Sequence, residues 1–542
     1  MTVGLPALRT KLIADADLGA GNVLAKLREH GVAPDEPTIT FDVEVDGHPA
    51  WTALTFGELD ERVAARAAWL QARGIGRRDP VAVYVTSAAD VFLNFLALTR
   101  LGAIPALMNG NMPGDVAVEY IQRLGATGVI ADAVHAPLLG AQPVFAAAET
   151  GTGDPGAAPE HFRHHADDPI AITHSSGTTR MPTPVVHSHS SLFAAIRAIR
   201  LTEPRSHEPV RHMSALPAAH AAGIITLHQA LCNRYELLCL SAQGGPFGHN
   251  GSAVVDAIER WRPTGVFGFA VTWAEIAALD LSGRDLDSVR VWFNTGDCAH
   301  EAHVRKLIAI GSHPTWTREG TVTVAGSRFT DGIGSTEMGH SAFHVTHRQG
   351  SEHYDRCVGR PYPFADVALL DLSTGRPVPD GEVGHVGLKS PTLAPGYWND
   401  SVNTYRNRLD GYYLTGDLMY RHDNGCYHHV DRAVDAVDLG DGQWLYTALA
   451  EERILARCPD IRDCTVVARR TATAVDTDVL LILAPGADPT IDRTEQIRAA
   501  MGGPAAATVR SAPVVQENDI VLGPTGKVRK FLMRQRHLAA TR

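Results

Sequence analysis

The feature that most restricts the fold is an alternation of short apolar runs with segments of helical spacing. Pro80-Val-Ala-Val-Tyr-Val85 reads as a buried strand and Val91 to Leu101 as a helix. Ala103 to Asn109 is short and apolar, Tyr120 to Leu124 ends a helix, and Gly128-Val-Ile-Ala131 is another strand. The pattern resumes with strand Glu236 to Leu240, helix Ala253 to Trp261, strand Val266 to Phe269 and helix Trp273 to Leu279. Strand Val289 to Asn294, helix Ala302 to Ile310 and strand Phe329 to Ile333 complete it. Apolar strands separated by helices form parallel sheets with helices packed on them, so the predicted fold class is α/β.

Thr55-Phe-Gly-Glu58 is a capping box, and Leu59, Val63, Ala67 and Leu70 follow at helical spacing before Gly74 stops the helix. Residues 1–50 read as irregular, and residues 140–167, rich in Ala, Gly, Pro and Asp, as a long surface connection. From Val367 short strands (Val367 to Leu370, Gly384 to Leu388, Tyr427 to Val430) lie between Gly/Pro turns and predict a small β-rich subdomain. After Arg432 come helix Leu449 to Arg457, strands Cys464 to Ala468 and Val479 to Leu483, and a basic tail. A chain of 542 residues exceeds one core. The expected division is a large N-terminal domain of parallel-rich sheets, residues 1–431, and a small mobile C-terminal α+β domain, residues 432–542.

A net charge of −11 argues against a general nucleic-acid binder. No apolar run approaches about 18 residues, so no membrane span is expected. No signal peptide is apparent at the N-terminus. The seven scattered cysteines, with no C-x-x-C pair, suit a reducing, cytoplasmic setting. The histidine groups His161/His164/His165, His187/His189 and His428/His429 invite a metal hypothesis, but none has a recognisable ligand spacing.

The chemistry centres on Ile172 to Ser191. Here Ser175, Ser176, Thr178 and Thr179 surround Gly177, after the apolar segment Pro169 to Ile172 and before a predicted helix, Ser190 to Ile199. Backbone N–H and hydroxyl groups on such a turn can converge on one polyphosphate. An ordinary surface Ser/Thr turn has the same composition. The spacing is not that of a Walker loop.

The SSGTT core resembles the phosphate loop of the adenylate-forming superfamily, which contains acyl- and aryl-CoA ligases, peptide-synthetase adenylation domains and beetle luciferases. Further motifs follow in the family's order. Phe329-Thr-Asp-Gly-Ile-Gly-Ser-Thr-Glu337 resembles the adenine turn, Tyr412-Tyr-Leu-Thr-Gly-Asp417 the Y-x-T-G-D motif, and Gly523-Pro-Thr-Gly-Lys527 the C-terminal lysine motif. The resemblance spans Thr55 to Arg534. It implies that Ser175, Ser176, Gly177, Thr178, Thr179, Arg180, Gly296, Asp331 and Gly332 bind ATP. Glu337 and Thr336 would hold Mg2+, Asp417 and Arg432 the ribose and phosphates, and Lys527 would be catalytic. His220 would border the acyl pocket, or simply pack, with Phe267, Phe269, Ala270 and Met338 as further pocket candidates.

Several positions depart from the family pattern. Arg180, Thr183 and Pro184 stand where the loop usually has Gly, Lys and Gly; Ile333 replaces an aromatic; Asp431 replaces the Gly of Gly-Arg; Val434 replaces the hinge acid. Gly440 to Trp444 replaces a glycine-rich turn of the pantetheine tunnel. The resemblance implies an enzyme that adenylates a small acid and passes it to an acceptor, CoA or an aromatic amine. The alternatives are a diazotase, in which the acid is nitrite, and a non-catalytic nucleotide-binding homologue. A metal hydrolase built on the histidine groups is a weaker rival. The sequence leaves the oligomeric state open, a homodimer included.

Overall fold

The computed structural model describes the chain except residues 1–2, 176–180, 204–209, 242–250, 319, 353, 472–473, 517–518, 522–531, 534 and 537–542. Strands Arg328–Asp331, Val291–Thr295, Gly265–Phe269, Arg211–Ser214, Glu236–Cys239 and Pro37–Phe41 lie side by side, all parallel. Met213, Val266, Trp292 and Phe329 share one core with residues of helices Gly251–Trp261 and Glu301–Ile308 and with Trp273 and Ile276 of Ala270–Ala278. The alternate residues His212, Phe267 and Phe293 make ring contacts with one another, as a period of two requires.

A second, seven-stranded sheet contains Val144–Ala146, Gly128–Ala131, Pro80–Tyr84, Ile104–Leu107 and Pro169–His174 in parallel. Helices Phe56–Gln71, Ala88–Leu101 and Ala221–Asn233 share one large core with residues of both sheets. The capping box at Thr55 is present: its Oγ1 accepts from Glu58 N at 3.2 Å, and Glu58 Oε2 accepts from Thr55 N at 2.8 Å.

Four sequence expectations change. Residues 1–50 are not irregular: helix Leu5–Ala14 buries Leu5, Leu8 and Leu12, and Pro37–Phe41 enters the sheet. The 140–167 stretch contributes an edge strand, Val144–Ala146. The hydroxyl-rich loop is followed by a strand, Pro184–Ser188, antiparallel to Pro169–His174, and not directly by a helix. The Ser190–Ile199 helix is present only in its second half: turns occupy Ser190 to Phe193, Ala194 and Ala195 are helical, and a π-helical turn, Ile196–Arg200, follows. Ser188 N donates to Ser191 Oγ at 3.0 Å and Ser191 N to Ser188 Oγ at 3.1 Å, a reciprocal pair of the capping-box kind at the start of the turns that lead into this helical segment.

The β-rich region has its own core, including Met338, Phe343, Leu388 and Met419. Its strands are continuous with the large sheet through Phe343–His347, which pairs with both Arg328–Asp331 and Cys357–Pro361. Beyond Arg432, helices Thr447–Arg457 and Thr494–Met501 pack on strands Ile461–Arg470, Val475–Leu483 and Val509–Ser511 around a separate core. Asp431 joins that unit to the body. Its Oδ2 accepts from the backbone N of Thr447 and from Thr447 Oγ1 at 3.0 Å, and so caps the first helix of the small unit. The residue that departs from the family's glycine thus has a visible structural task.

Candidate active site

Ser175, Gly296, Asp331 and Gly332 lie at or just beyond the ends of parallel strands Pro169–His174, Val291–Thr295 and Arg328–Asp331, the usual place for a crevice in an open α/β sheet. Strand Pro169–His174 leads into the hydroxyl-rich loop, and Ser175 N donates to Thr183 O at 3.0 Å, closing the base of that loop. Ser176, Gly177, Thr178, Thr179 and Arg180 lie outside the described residues, as does Lys527. Thr336 Oγ1 approaches the His174 carbonyl at 3.5 Å, so the Gly332–Glu337 turn, 162 positions away, meets the start of the loop. Glu337 accepts from the Tyr397 hydroxyl at 3.2 Å. Burial, reinforced by Glu337, pushes the Tyr397 phenol up to about 12. Burial and Glu337 also raise the Tyr413 phenol. Both tyrosines remain protonated donors beside that carboxylate at neutral pH.

Asp417 is held by the neighbouring strand. Arg432, its register partner, places Nη1 3.2 Å from Asp417 Oδ1, and His429 Nε2 lies 3.4 Å from the same oxygen. Arg356 donates Nη2 to His429 Nδ1 at 2.8 Å and Nε to the His429 carbonyl at 3.0 Å. Since an arginine can only donate, Nδ1 must accept and the neutral ring carries its proton on Nε2, facing Asp417. Burial raises the Asp417 carboxyl, but the Arg432 charge and the His429 and Thr415 bonds outweigh it and hold the group at about 2. A carboxylate fixed in this way can accept from two vicinal hydroxyls. Arg432, with 45% of its side chain exposed, is also influenced by Glu337 and Asp297, which sets the two motifs near each other.

Gly416 is where this arrangement demands glycine. Its φ is +81°, and an added Cβ would lie 3.1 Å from Arg432 Nη2. Gly416→Ala is expected to lower stability by about 1 kcal/mol through left-handed strain and to displace Arg432. Thermal melting and ATP titration check the two parts separately.

Other predicted residues are placed differently from a simple lining role. The Asp331 side chain points into the protein, 2% exposed; it accepts from Asn294 Nδ2 at 2.7 Å and from Ala299 N at 3.1 Å. Burial pushes its carboxyl up to about 6. Its structural task is to fasten the turn that carries Gly296, whose φ is +93° and which bridges Ile333. Gly332 is buried, and a Cβ there would come within 2.9 Å of Ser341 Oγ. Met338 sits in the β-rich core, 1% exposed, and not at an open pocket wall. His220 begins helix Ala221–Asn233; its Nδ1 accepts from Ala222 N at 3.2 Å and its ring stands edge-on to Phe269 at 5.1 Å. Phe267 stacks on Phe293 at 4.5 Å, and Ala270 starts the helix after Phe269.

Sequence reasoning missed His429, Arg356, Tyr397 and Tyr413. In the sequence the pair His428/His429 invites a metal hypothesis without a ligand spacing. On a strand, neighbours face opposite sides, and His428 instead contacts the Asp355 carbonyl at 3.0 Å. Among the described residues, no group of three His, Cys, Asp or Glu side chains could hold a metal ion, and no helix is long and apolar enough to cross a membrane.

The profile of the AMP-binding enzyme family matches residues 29–398, more than half of the chain. The chain belongs to that family. It is an adenylate-forming enzyme, and use of ATP follows from membership. Among curated relatives, a 3-aminoavenalumate diazotase of Streptomyces is 40% identical, covering 98% of each chain. A feruloyl-CoA synthase of Amycolatopsis is 27% identical over 77% of this chain and 80% of its own. Among solved structures, the anthranilate CoA ligase AuaEII in complex with anthranoyl-AMP superposes with a TM-score of 0.81 at 20% identity, covering 97% and 99% of the two chains, which shows the shared fold.

Proposed function

We propose that the protein is an ATP-dependent diazotase. It transfers AMP to nitrite and passes the activated nitrite to an aromatic amine. The observation that carries this reading over a thioester-forming one is the 40% identity to a diazotase along essentially the whole of both chains. The departures at Arg180, Thr183, Pro184, Val434 and Gly440 to Trp444, where loop motion and the acceptor step are set in CoA ligases, agree with it.

In this reading a nitrite oxygen attacks the α-phosphorus of ATP; a P–O bond forms and pyrophosphate leaves. The amine nitrogen then attacks the nitrogen of the nitrite–AMP anhydride, AMP leaves with the anhydride oxygen, and the amine loses a proton. The resulting N-nitroso amine tautomerises and loses hydroxide to give the diazonium ion. Asp417 accepts from the ribose hydroxyls, and Arg432, anchored on Asp417, reaches ribose and phosphate oxygens. Glu337 and Thr336 are suited by chemistry and position to hold a magnesium ion beside the phosphate loop. Ser175 to Arg180 would cradle the phosphates, Gly296 and Gly332 the base. Lys527 would arrive from a C-terminal domain of residues 432–542 that closes over the body of residues 1–431.

The test is pyrophosphate release with each acid in turn. Nitrite is expected to drive release, with diazonium trapped only when an aromatic amine is added. Release driven by aryl acids, with CoA and not the amine as acceptor and no response to nitrite, would replace this reading with an acid–CoA ligase. ATP binding with no release for any acid would point to a non-catalytic homologue.

A further inference from the structure

We propose that Arg200 anchors the carboxylate of the aromatic amine substrate, at the end of an aromatic recess remote from the nucleotide; the assignment of that substrate rests on the diazotase reading. Phe269 and Thr295 end paired strands at the nucleotide side, and Phe267 pairs with Phe293 two residues deeper. His212 pairs with Gly265, two residues deeper again, and stands edge-on to Phe267 at 5.2 Å and to Phe293 at 5.7 Å. With about 3.3 Å per residue, this stripe of rings runs inward for about 13 Å. A second group of rings near Arg200 comprises His340 and Tyr362, 5.6 Å apart, and His344, stacked on Tyr362 at 4.2 Å. Burial pushes the His340 imidazole down to about 4, yet the residue keeps accessible surface, as does Phe293. Phe293, His340, His344 and Tyr362 are all part-exposed, and we assign them to the lining of the recess.

Arg200 ends the π-helical turn Ile196–Arg200 at the deep end of the stripe, where His212, His340, His344 and Tyr362 all lie within reach of its charge. Its side chain is 15% exposed. Nη1 donates to Glu203 Oε1 at 2.7 Å and the guanidinium lies near Tyr362, whereas Nε is buried without a partner among the described residues. Glu203, 44% exposed, engages the guanidinium from the solvent side. A buried guanidinium with a donor to spare suits a carboxylate, which matches its planar fork. The placement also distinguishes two chemistries. An aryl acid awaiting adenylation must turn its carboxylate toward ATP. An amine attacking activated nitrite must turn its nitrogen there, and a carboxylate across the ring then points to the other end.

Calorimetric titration of the full chain with 3-aminobenzoate and with aniline tests this without turnover. The wild type should bind 3-aminobenzoate about 10- to 100-fold more tightly than aniline, the range for a charge-assisted pair. Arg200→Gln should abolish that difference while leaving aniline binding unchanged, which also shows that the variant is folded. Arg200→Lys should retain part of it. Equal binding of both probes by the wild type, or equal weakening of both by Arg200→Gln, would overturn the proposal. A nitrite-independent enzyme that still shows the Arg200-dependent preference would remove the diazotase reading and leave the anchor standing.

Discussion

Asp417→Ala is expected to weaken ATP binding by about 100- to 1,000-fold, through loss of two hydrogen bonds to a charged acceptor. The carboxylate is 5% exposed and gathers Arg432 and His429 on one oxygen. Its removal frees Arg432 to leave its position and leaves the Nε2–H of His429 without its acceptor. Asp417→Asn keeps the volume but turns half of the acceptor into a donor, so an intermediate loss is expected. ATP titration and ATP–pyrophosphate exchange measure the effect; a dissociation constant within threefold of the wild type for the Ala variant would refute the role. The sign of the pH dependence follows from a depressed carboxyl. The stabilisation is fully present above the unfolded value of 3.8 and is lost as pH falls toward about 2. Acidification to pH 5 should therefore leave this contribution intact.

The second large effect is expected at Glu452, which ties the small C-terminal unit to the body. Glu452 is 3% exposed. Its Oε2 lies 2.6 Å from His300 Nδ1, and its Oε1 accepts from Glu301 N at 2.9 Å, so one carboxylate meets an imidazolium and the start of helix Glu301–Ile308. Burial lowers the His300 pKa, but the bond and charge of Glu452 outweigh it and hold the group above 6.5; burial raises Glu452, but His300 outweighs it and holds the acid below 4.5. Arg356 acts on both groups and Glu451 on His300. The pair is thus formed above the ordinary glutamate range. Its contribution is complete below pH 6.5 on the histidine side and disappears as pH rises through the raised His300 value. Glu452→Ala breaks a buried pair, a change of about 3–5 kcal/mol. Hydrogen exchange should accelerate in Glu301–Ile308 and Thr447–Arg457, with the core of the large sheet unaffected. Glu452→Gln, which still accepts from Glu301 N, should show a smaller change, and raising the pH should reproduce part of the Ala effect in the wild type. Unchanged exchange in the Ala variant would show that other contacts hold the unit.

The large-scale architecture was readable because its signals are local. A buried strand such as Gly265–Phe269 announces itself by an apolar run, and the Thr55 cap by residue types three apart. The motif positions were also readable, since Asp417, Glu337 and Thr336 stand in short patterns. What escaped was set by remote partners. Asp331 matched the adenine-turn motif, yet its carboxylate turns inward because Asn294 and the Ala299 amide meet it there. His429 was invisible as a support for Asp417 because its role depends on Arg356, 73 positions away. The Ser190 to Ile199 segment reads as a helix, but it opens with turns and ends in a π-helical turn, Ile196–Arg200, a widening that residue types alone do not announce.

Asp431 and Arg432 are successive residues of one strand, so their side chains leave on opposite faces. One grips the leading helix of the C-terminal unit, and the other braces Asp417. A swing of that unit that keeps the Asp431 clasp must pivot about the very segment that presents Arg432; a swing that opens it exposes the amide of Thr447. Were the unit to swing in either way, the energy would be felt at Asp417, and a ligand gripping Asp417 and Arg432 would bias where the unit rests, by the same amount in both directions.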